Sequence, residues 1–171
     1  MATDTRGICL SGRNPGTSEP DAVVYFVCAA LIQPLAECLA REWPASRYTS
    51  DAPALCPVCG ALPVVGALRE EGQGAKRTLI CSFCLTERDY MRLLCPSCGE
   101  KGFDSLPVFT AEQFEYVRVD ACDSCRTYLK VVDLTKDGLA IPVVDDMATV
   151  ALDLWARERG YKRLRLNVLG L

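Results

Sequence analysis

The sequence predicts an α+β protein: tandem four-cysteine modules of short strands and turns, flanked by an N-terminal and a C-terminal helix. Three observations predict it. Eleven of the 171 residues are cysteine, and eight of these fall in four pairs with two residues between. The pairs repeat: Cys56-Pro-Val-Cys59-Gly60 returns as Cys95-Pro-Ser-Cys98-Gly99, and Cys81-Ser-Phe-Cys84 as Cys122-Asp-Ser-Cys125. The repeat sits in short β-like runs, whereas the segments on either side carry helical periodicity.

The elements follow in order. Residues 1–20 are rich in Gly, Pro, Ser and Thr and read as a mobile tail. A helical segment occupies residues 21–50. Pro20-Asp21 starts it, Val24, Cys28, Leu31, Leu35 and Leu39 share a face, Pro34 kinks it, and Pro44 ends it near Trp43. Its first half is apolar all round, so it needs a cover from the rest of the chain or from a partner. The first module spans residues 51–94 and the second 95–138. Their expected strands are Leu62–Arg69, Arg77–Ile80, Asp89–Leu94, Leu106–Phe109, Tyr116–Val119 and Tyr128–Val132, with turns at Gly72-Gln73-Gly74 and Lys136-Asp137-Gly138. Residues 139–171 hold a C-terminal helix and tail. Asp145 is its expected cap, Ala148, Ala151, Leu152 and Trp155 its buried face, and Gly160 its stop.

Composition removes several classes of function. The chain has no histidine, which excludes Ser-His-Asp and Cys-His catalysis and any imidazole metal ligand. No phosphate loop, nucleotide fingerprint or nucleophile elbow is present. The net charge of −3 argues against a nucleic-acid binder, whose basic face would have to come from Lys76, Arg77, Arg88 and Arg92. The longest apolar run, Ala22 to Ile32, is shorter than the roughly 20 residues of a membrane span. The first twenty residues contain no signal-peptide core, and paired cysteines in an odd total are not the pattern of a secreted disulfide scaffold. Both point to a reducing cytoplasm.

The paired cysteines have ligand spacing. A C-x-x-C turn aims two thiolates at one point, and two facing turns build a four-sulfur site. Gly60 and Gly99 can take positive φ, turning amides toward the sulfurs; Pro57 and Pro96 preset the turns. The expected ligands are Cys56, Cys59, Cys81, Cys84, Cys95, Cys98, Cys122 and Cys125, holding two metal ions per chain. The repeat favours sequential pairing, each copy closing its own site; the alternative joins the middle two pairs and the outer two. Four thiolates suit zinc or a single rubredoxin-like iron. Cys9, Cys28 and Cys38 lack such partners, and Cys28 and Cys38 read as small buried hydrophobes. Lys162, Arg163 and Arg165, just past a helix end, read as complements to its dipole.

Taken together the motifs resemble one family, the FdhE proteins, accessory factors for formate dehydrogenase. The resemblance rests on Cys56-Pro-Val-Cys59-Gly60-Ala-Leu-Pro63, Cys81-Ser-Phe-Cys84-Leu-Thr-Glu87, Arg92-Leu-Leu-Cys95-Pro-Ser-Cys98-Gly99, Cys122-Asp-Ser-Cys125-Arg-Thr-Tyr128-Leu129-Lys130, Asp145-Asp146-Met-Ala-Thr and Gly160-Tyr161. It covers roughly residues 50 to 168. It implies tandem rubredoxin-like modules that bind iron behind a helical N-terminal domain, in a cytoplasmic, non-enzymatic maturation factor that contacts the catalytic subunit of formate dehydrogenase. Three departures stand out. Most of the helical N-terminal domain is missing, so the chain reads as a truncated member. Arg88-Asp89 stands where the family tends to carry Trp-His, and Asn167-Val168-Leu169 where it ends Asn-Pro-Phe.

The function expected is therefore assembly of formate dehydrogenase, with the modules as a docking surface and the apolar helix completing a client-facing or self-associating patch. The rivals are a zinc-ribbon nucleic-acid-binding protein and a rubredoxin-like electron carrier.

Overall fold

A computed structural model describes residues 19–42 and 53–167, with side chains in the first helix at 27 and from 30 onward. Helix α1, Glu19–Arg41, runs through Pro34. Seven strands follow among the described residues: β1 Pro63–Glu71, β2 Gly74–Cys81, β3 Glu87–Asp89, β4 Val108–Thr110, β5 Val117–Cys122, β6 Thr127–Asp133 and β7 Lys162–Arg163. Two helices, α2 Pro142–Ala148 and α3 Val150–Glu158, separate the last two strands.

All seven strands belong to one sheet, in the order β3-β2-β1-β6-β5-β4 with β7 alongside β6. Each module supplies three antiparallel strands, and the two triplets lie side by side in the same orientation. They join where β1 runs parallel to β6, with Gly66 beside Val131 and Leu68 beside Asp133. Gly66 permits that approach: a Cβ there would sit 3.0 Å from Val131 Cγ2 and 3.2 Å from the Thr78 carbonyl.

Paired residues on neighbouring strands share a face of a sheet. In β5 and β6, Val117, Val119 and Ala121 pair with Val132, Lys130 and Tyr128, and this face packs under α2 and α3. Arg118 and Asp120 pair with Val131 and Leu129 and point to the other face. There Leu79, Leu94, Leu129 and Leu164 form a second cluster with Ala54 and Tyr90.

The structure corrects the sequence expectations at several points. Strand β3 ends at Asp89 and does not run on to Leu94. The chain leaves the edge there, and Tyr90 turns inward among Leu79, Leu94 and Leu129 on its way to Cys95. The C-terminal helix begins at Pro142, a residue whose missing N–H costs nothing in the first turn. Asp145 is not its cap. From inside the first turn it accepts the Ile141 amide at 2.6 Å and the Tyr116 hydroxyl at 3.0 Å. The helix then breaks at Thr149, whose hydroxyl donates back to the Asp145 carbonyl at 2.7 Å.

Its buried face also differs. Ala148 and Ala151 are exposed, Trp155 is half-buried, and Leu152 alone of the expected four is buried. The inward stripe is Asp146, Thr149, Leu152, Asp153 and Ala156. Two buried cations answer its carboxylates. Lys130 Nζ lies 2.6 Å from Asp153 Oδ2 and 3.3 Å from Asp146 Oδ1. Arg163 donates to Asp153 Oδ1 at 2.6 Å and to Asp146 Oδ1, and Tyr128 donates to Asp153 Oδ1 at 2.8 Å. Arg163 is thus not a helix-dipole complement at the surface, and Arg165 is buried with it. Gly160 does stop α3, at φ 78°. The chain beyond it docks on β6 through Lys162 N to Arg126 O and Leu164 N to Tyr128 O.

Candidate metal centres

The backbone at the four cysteine turns follows one rule. The residue after each second cysteine is left-handed: Gly60 at φ 74°, Gly99 at 80°, Leu85 at 53° and Arg126 at 56°. In the first turn of each module the same two bonds close the loop. Gly60 N donates to Cys56 O and Cys56 N to Ala61 O; Gly99 N donates to Cys95 O and Cys95 N to Glu100 O. Amides then face sulfur, with Ser97 N 3.4 Å from Cys95 Sγ and Phe83 N 3.4 Å from Cys81 Sγ. An amide dipole aimed at sulfur favours the thiolate over the thiol.

Strand β2 delivers Cys81 at its last residue and β5 delivers Cys122 at its last residue, so each sheet triplet carries its own turn pair to meet the preceding one. The eight sulfurs gather as Cys56, Cys59, Cys81 and Cys84, and as Cys95, Cys98, Cys122 and Cys125, each quartet within 4.8 Å. Each quartet comes from one copy of the repeat.

Within the first quartet Cys56 and Cys84 are 3.5 Å apart and Cys59 and Cys81 3.4 Å; in the second the corresponding pairs are 3.7 and 3.8 Å. A tetrahedron with metal–sulfur bonds of about 2.3 Å has edges of about 3.8 Å. The second quartet has that size, and the first is a few tenths of an ångström tighter. The donor set is all sulfur and closed, suited to zinc or iron and lacking the open position that hydrolytic metal chemistry needs.

The sulfurs polarise one another. Hydrogen bonds from Cys59 and Cys81 bring Cys56 down to about 6. Cys84, accepting from Cys56, Cys59 and Cys81, falls well below the usual thiol range. Cys59 and Cys81 move up as the donors, each chiefly through its bond with Cys56. In the second quartet burial pushes Cys122 up to about 12 and also raises Cys98. Burial opposes ionisation of Cys125 too, but hydrogen bonds from Thr127 and its neighbours outweigh it and bring that thiol to about 7. Each quartet thus offers a ready thiolate to an incoming cation, whose charge displaces the remaining protons.

The two centres differ in cover. In the first, Cys56, Cys81 and Cys84 are buried, and Ala36 and Ala40 of α1 pack over them. In the second, Cys98 is exposed and Cys125 half-buried.

Other sequence expectations resolve differently. Cys38 is exposed rather than buried; Cys9 and the side chain of Cys28 lie outside the described residues. Of the supposed basic patch, Arg77 and Arg88 are buried and Lys76 is paired with Asp89 at 3.1 Å, which leaves only Arg92 as an open cation. Two site residues escaped the sequence reading. Thr86 and Thr127 share hydrogen bonds of 3.0 and 2.8 Å with Cys84 and Cys125. The signal was present, since a threonine follows the second cysteine at the same offset in both copies.

Comparison with known proteins assigns the chain to a family. Residues 55–92 match the family model described as "FdhE, central domain", and residues 93–169 the model "FdhE, C-terminal domain". A protein of Aquifex aeolicus named "Protein FdhE homolog" is 44% identical over 117 residues, covering 67% of this chain and 41% of the relative. A Pseudomonas aeruginosa protein of the same name is 33% identical over 159 residues, covering 88% of this chain and 50% of the relative. The crystal structure of the FdhE protein from Pseudomonas aeruginosa superposes with a TM-score of 0.73 at 31% identity, covering 83% of this chain and 50% of that one. The chain spans half or less of the length of these relatives.

Proposed function

Since this chain belongs to the FdhE family, we propose that it is a non-enzymatic accessory factor needed to make active formate dehydrogenase, and that it docks on that enzyme's catalytic subunit in the cytoplasm. The observation that carries the reading is the pair of closed four-sulfur quartets set on one sheet. They hold two metal ions, and the family resemblance favours iron. Iron bound by four thiolates supplies one-electron chemistry. The residues of this chain hold the thiolates in place, orient amides toward them and cover the first centre more fully than the second. An all-sulfur site of this kind also stabilises a small fold, since structural metal binding contributes on the order of 10 kcal/mol.

The first helix supports docking. Leu31, Leu35 and Leu39 fall on one side at 75, 61 and 60% exposure, while its Ala36 and Ala40 face the protein. A contiguous apolar stripe of this kind suits a protein partner or a second copy.

Affinity capture of the tagged chain from cells respiring formate tests the reading. Recovery of a formate dehydrogenase catalytic subunit, lost when Cys56 and Cys95 are both changed to serine, is the expected result. Failure to capture that subunit with the metal-loaded protein would overturn docking. Metal analysis after anaerobic purification tests the rest: zinc alone, with no reducible chromophore, removes the redox role.

A further inference from the structure

The sheet face turned away from α2 and α3 holds a cavity of about 190 Å³ beside the second sulfur quartet. Water occupies about 30 Å³ per molecule, so the space is that of a compact organic group. Its walls are largely apolar, including Leu94, Leu106 and Leu129, and its rim exposes Phe103, Val108 and Leu93 at 76, 51 and 49%. Set into these walls are three arginines, Arg77, Arg92 and Arg118, against a single carboxylate, Asp120.

The pairing is incomplete. Asp120 is engaged by Arg118 at 2.8 and 3.2 Å, which leaves Arg77 only a 3.5 Å contact through Nη2. Arg77 is 3% exposed, and its Nε has no hydrogen-bond partner. Its Nη1 has only long bonds, 3.4 Å, to the carbonyls of Arg92 and Leu94. Its remaining neighbour is the Tyr90 ring, 5.7 Å away. Arg92 donates only to the Ala75 carbonyl, also at 3.4 Å. A buried guanidinium without its full set of acceptors is costly, and a carboxylate is the acceptor whose two oxygens fit its fork.

We infer that this cavity is a binding site for a carboxylate carried on a compact apolar body. The carboxylate meets Arg118 and Arg92 at the mouth, within the field of Arg77, and the apolar body lies against Leu94, Leu106 and Leu129. Asp120 is the built-in competitor for the same cations.

Two sources of such a group are distinguished by one experiment. The purified, metal-loaded chain is titrated calorimetrically with hexanoate, with a short peptide ending in leucine with a free carboxylate, and with the same peptide amidated. Binding of hexanoate assigns the site to free acids. Binding of the free-ended peptide but not of hexanoate assigns it to a polypeptide C-terminus. In either case Arg118→Gln weakens binding by about tenfold or more. Asp120→Asn strengthens it, an effect that a merely structural role for Asp120 does not produce. Circular dichroism and unchanged metal content show that each variant is folded, and Arg92→Gln, at an exposed position, serves if either fails. Equal binding of acid and amide, or no binding of any probe, overturns the inference.

Discussion

Leu85 and Arg126 stand at the same step of two cysteine turns, and both hold the left-handed backbone that Gly60 and Gly99 hold at the other two, at φ 53° and 56°. At both positions the side chain makes contacts that glycine lacks. Leu85 packs against the main core. Arg126 pairs with Asp123 at 3.0 Å and lies 4.1 Å over the Tyr161 ring.

At these two positions the usual order of alanine and glycine is therefore expected to reverse. Both substitutions lose the side-chain contacts, but only alanine keeps the backbone strain. Leu85→Gly and Arg126→Gly should each be more stable than the alanine variant by about 1 kcal/mol. Chemical denaturation of the four variants, all metal-loaded, measures the difference.

Lys130 and Arg163 each pair with both Asp146 and Asp153 between β6, β7 and the C-terminal helices, out of contact with water. Lys130→Met removes the cation 2.6 Å from Asp153 and 3.3 Å from Asp146 and leaves their ion pairs with Arg163. A loss of about 3–5 kcal/mol is expected, as for other broken buried pairs. A thermal or denaturant midpoint unchanged from the parent would contradict the network's role.

Glu87 ties β3 to its neighbours through Arg69 at 2.5 and 2.7 Å and Thr78 at 2.5 Å. Burial raises its pKa, but the bonds from Arg69 and Thr78, with the nearby charge of Lys76, more than offset this and hold it below the ordinary 4.5. A depressed carboxylate contributes stability that is fully present above the unfolded value and is lost as pH falls through the folded one. Arg69 is 45% exposed, so the contribution is discounted to about 1 kcal/mol. Glu87→Gln should cost that amount at pH 7, and the gap from the parent should close below pH 4.5. Paired unfolding curves at several pH values read it directly.

The two metal centres should release their ions at different rates. Cys98 of the second is exposed, while α1 covers the first. A chelator is expected to remove one equivalent per chain quickly and the other slowly. Cys98→Ser should abolish the fast phase and leave the slow one, followed by metal release against a colorimetric indicator.

How much of this was legible in the sequence depends on how local the cause is. The cysteine turns are local, since two residues between ligands and a positive φ afterwards are dictated within five positions. The quartets followed from the repeat. The charged core was not legible, because hydropathy assigns Asp146, Asp153, Lys130 and Arg163 to the surface, and only their partners across the fold permit burial. A trace was there in Asp146, Thr149 and Asp153, polar residues spaced as one helical face. The arginine cavity was hidden for the same reason: Arg77 and Arg118 lie 41 positions apart, on β2 and β5, which have β1 and β6 between them and share a face only once the triplets join. The join itself pairs Gly66 with Val131, and no short-range pattern announces a parallel contact of that span.

That join has a geometric consequence. Two like units placed side by side in one direction form an array with unlike ends, one offering β3 and the other β4. Nothing in such a rule closes the array at two, as a dyad would, and a neighbouring molecule's edge meets the same invitation. Growth is halted at the margins instead. Each outer strand is three residues long. One is wholly charged, Glu87-Arg88-Asp89, and the other is preceded by Pro107, which has no amide hydrogen to offer. The chain thus caps a tiling that its own duplication left open.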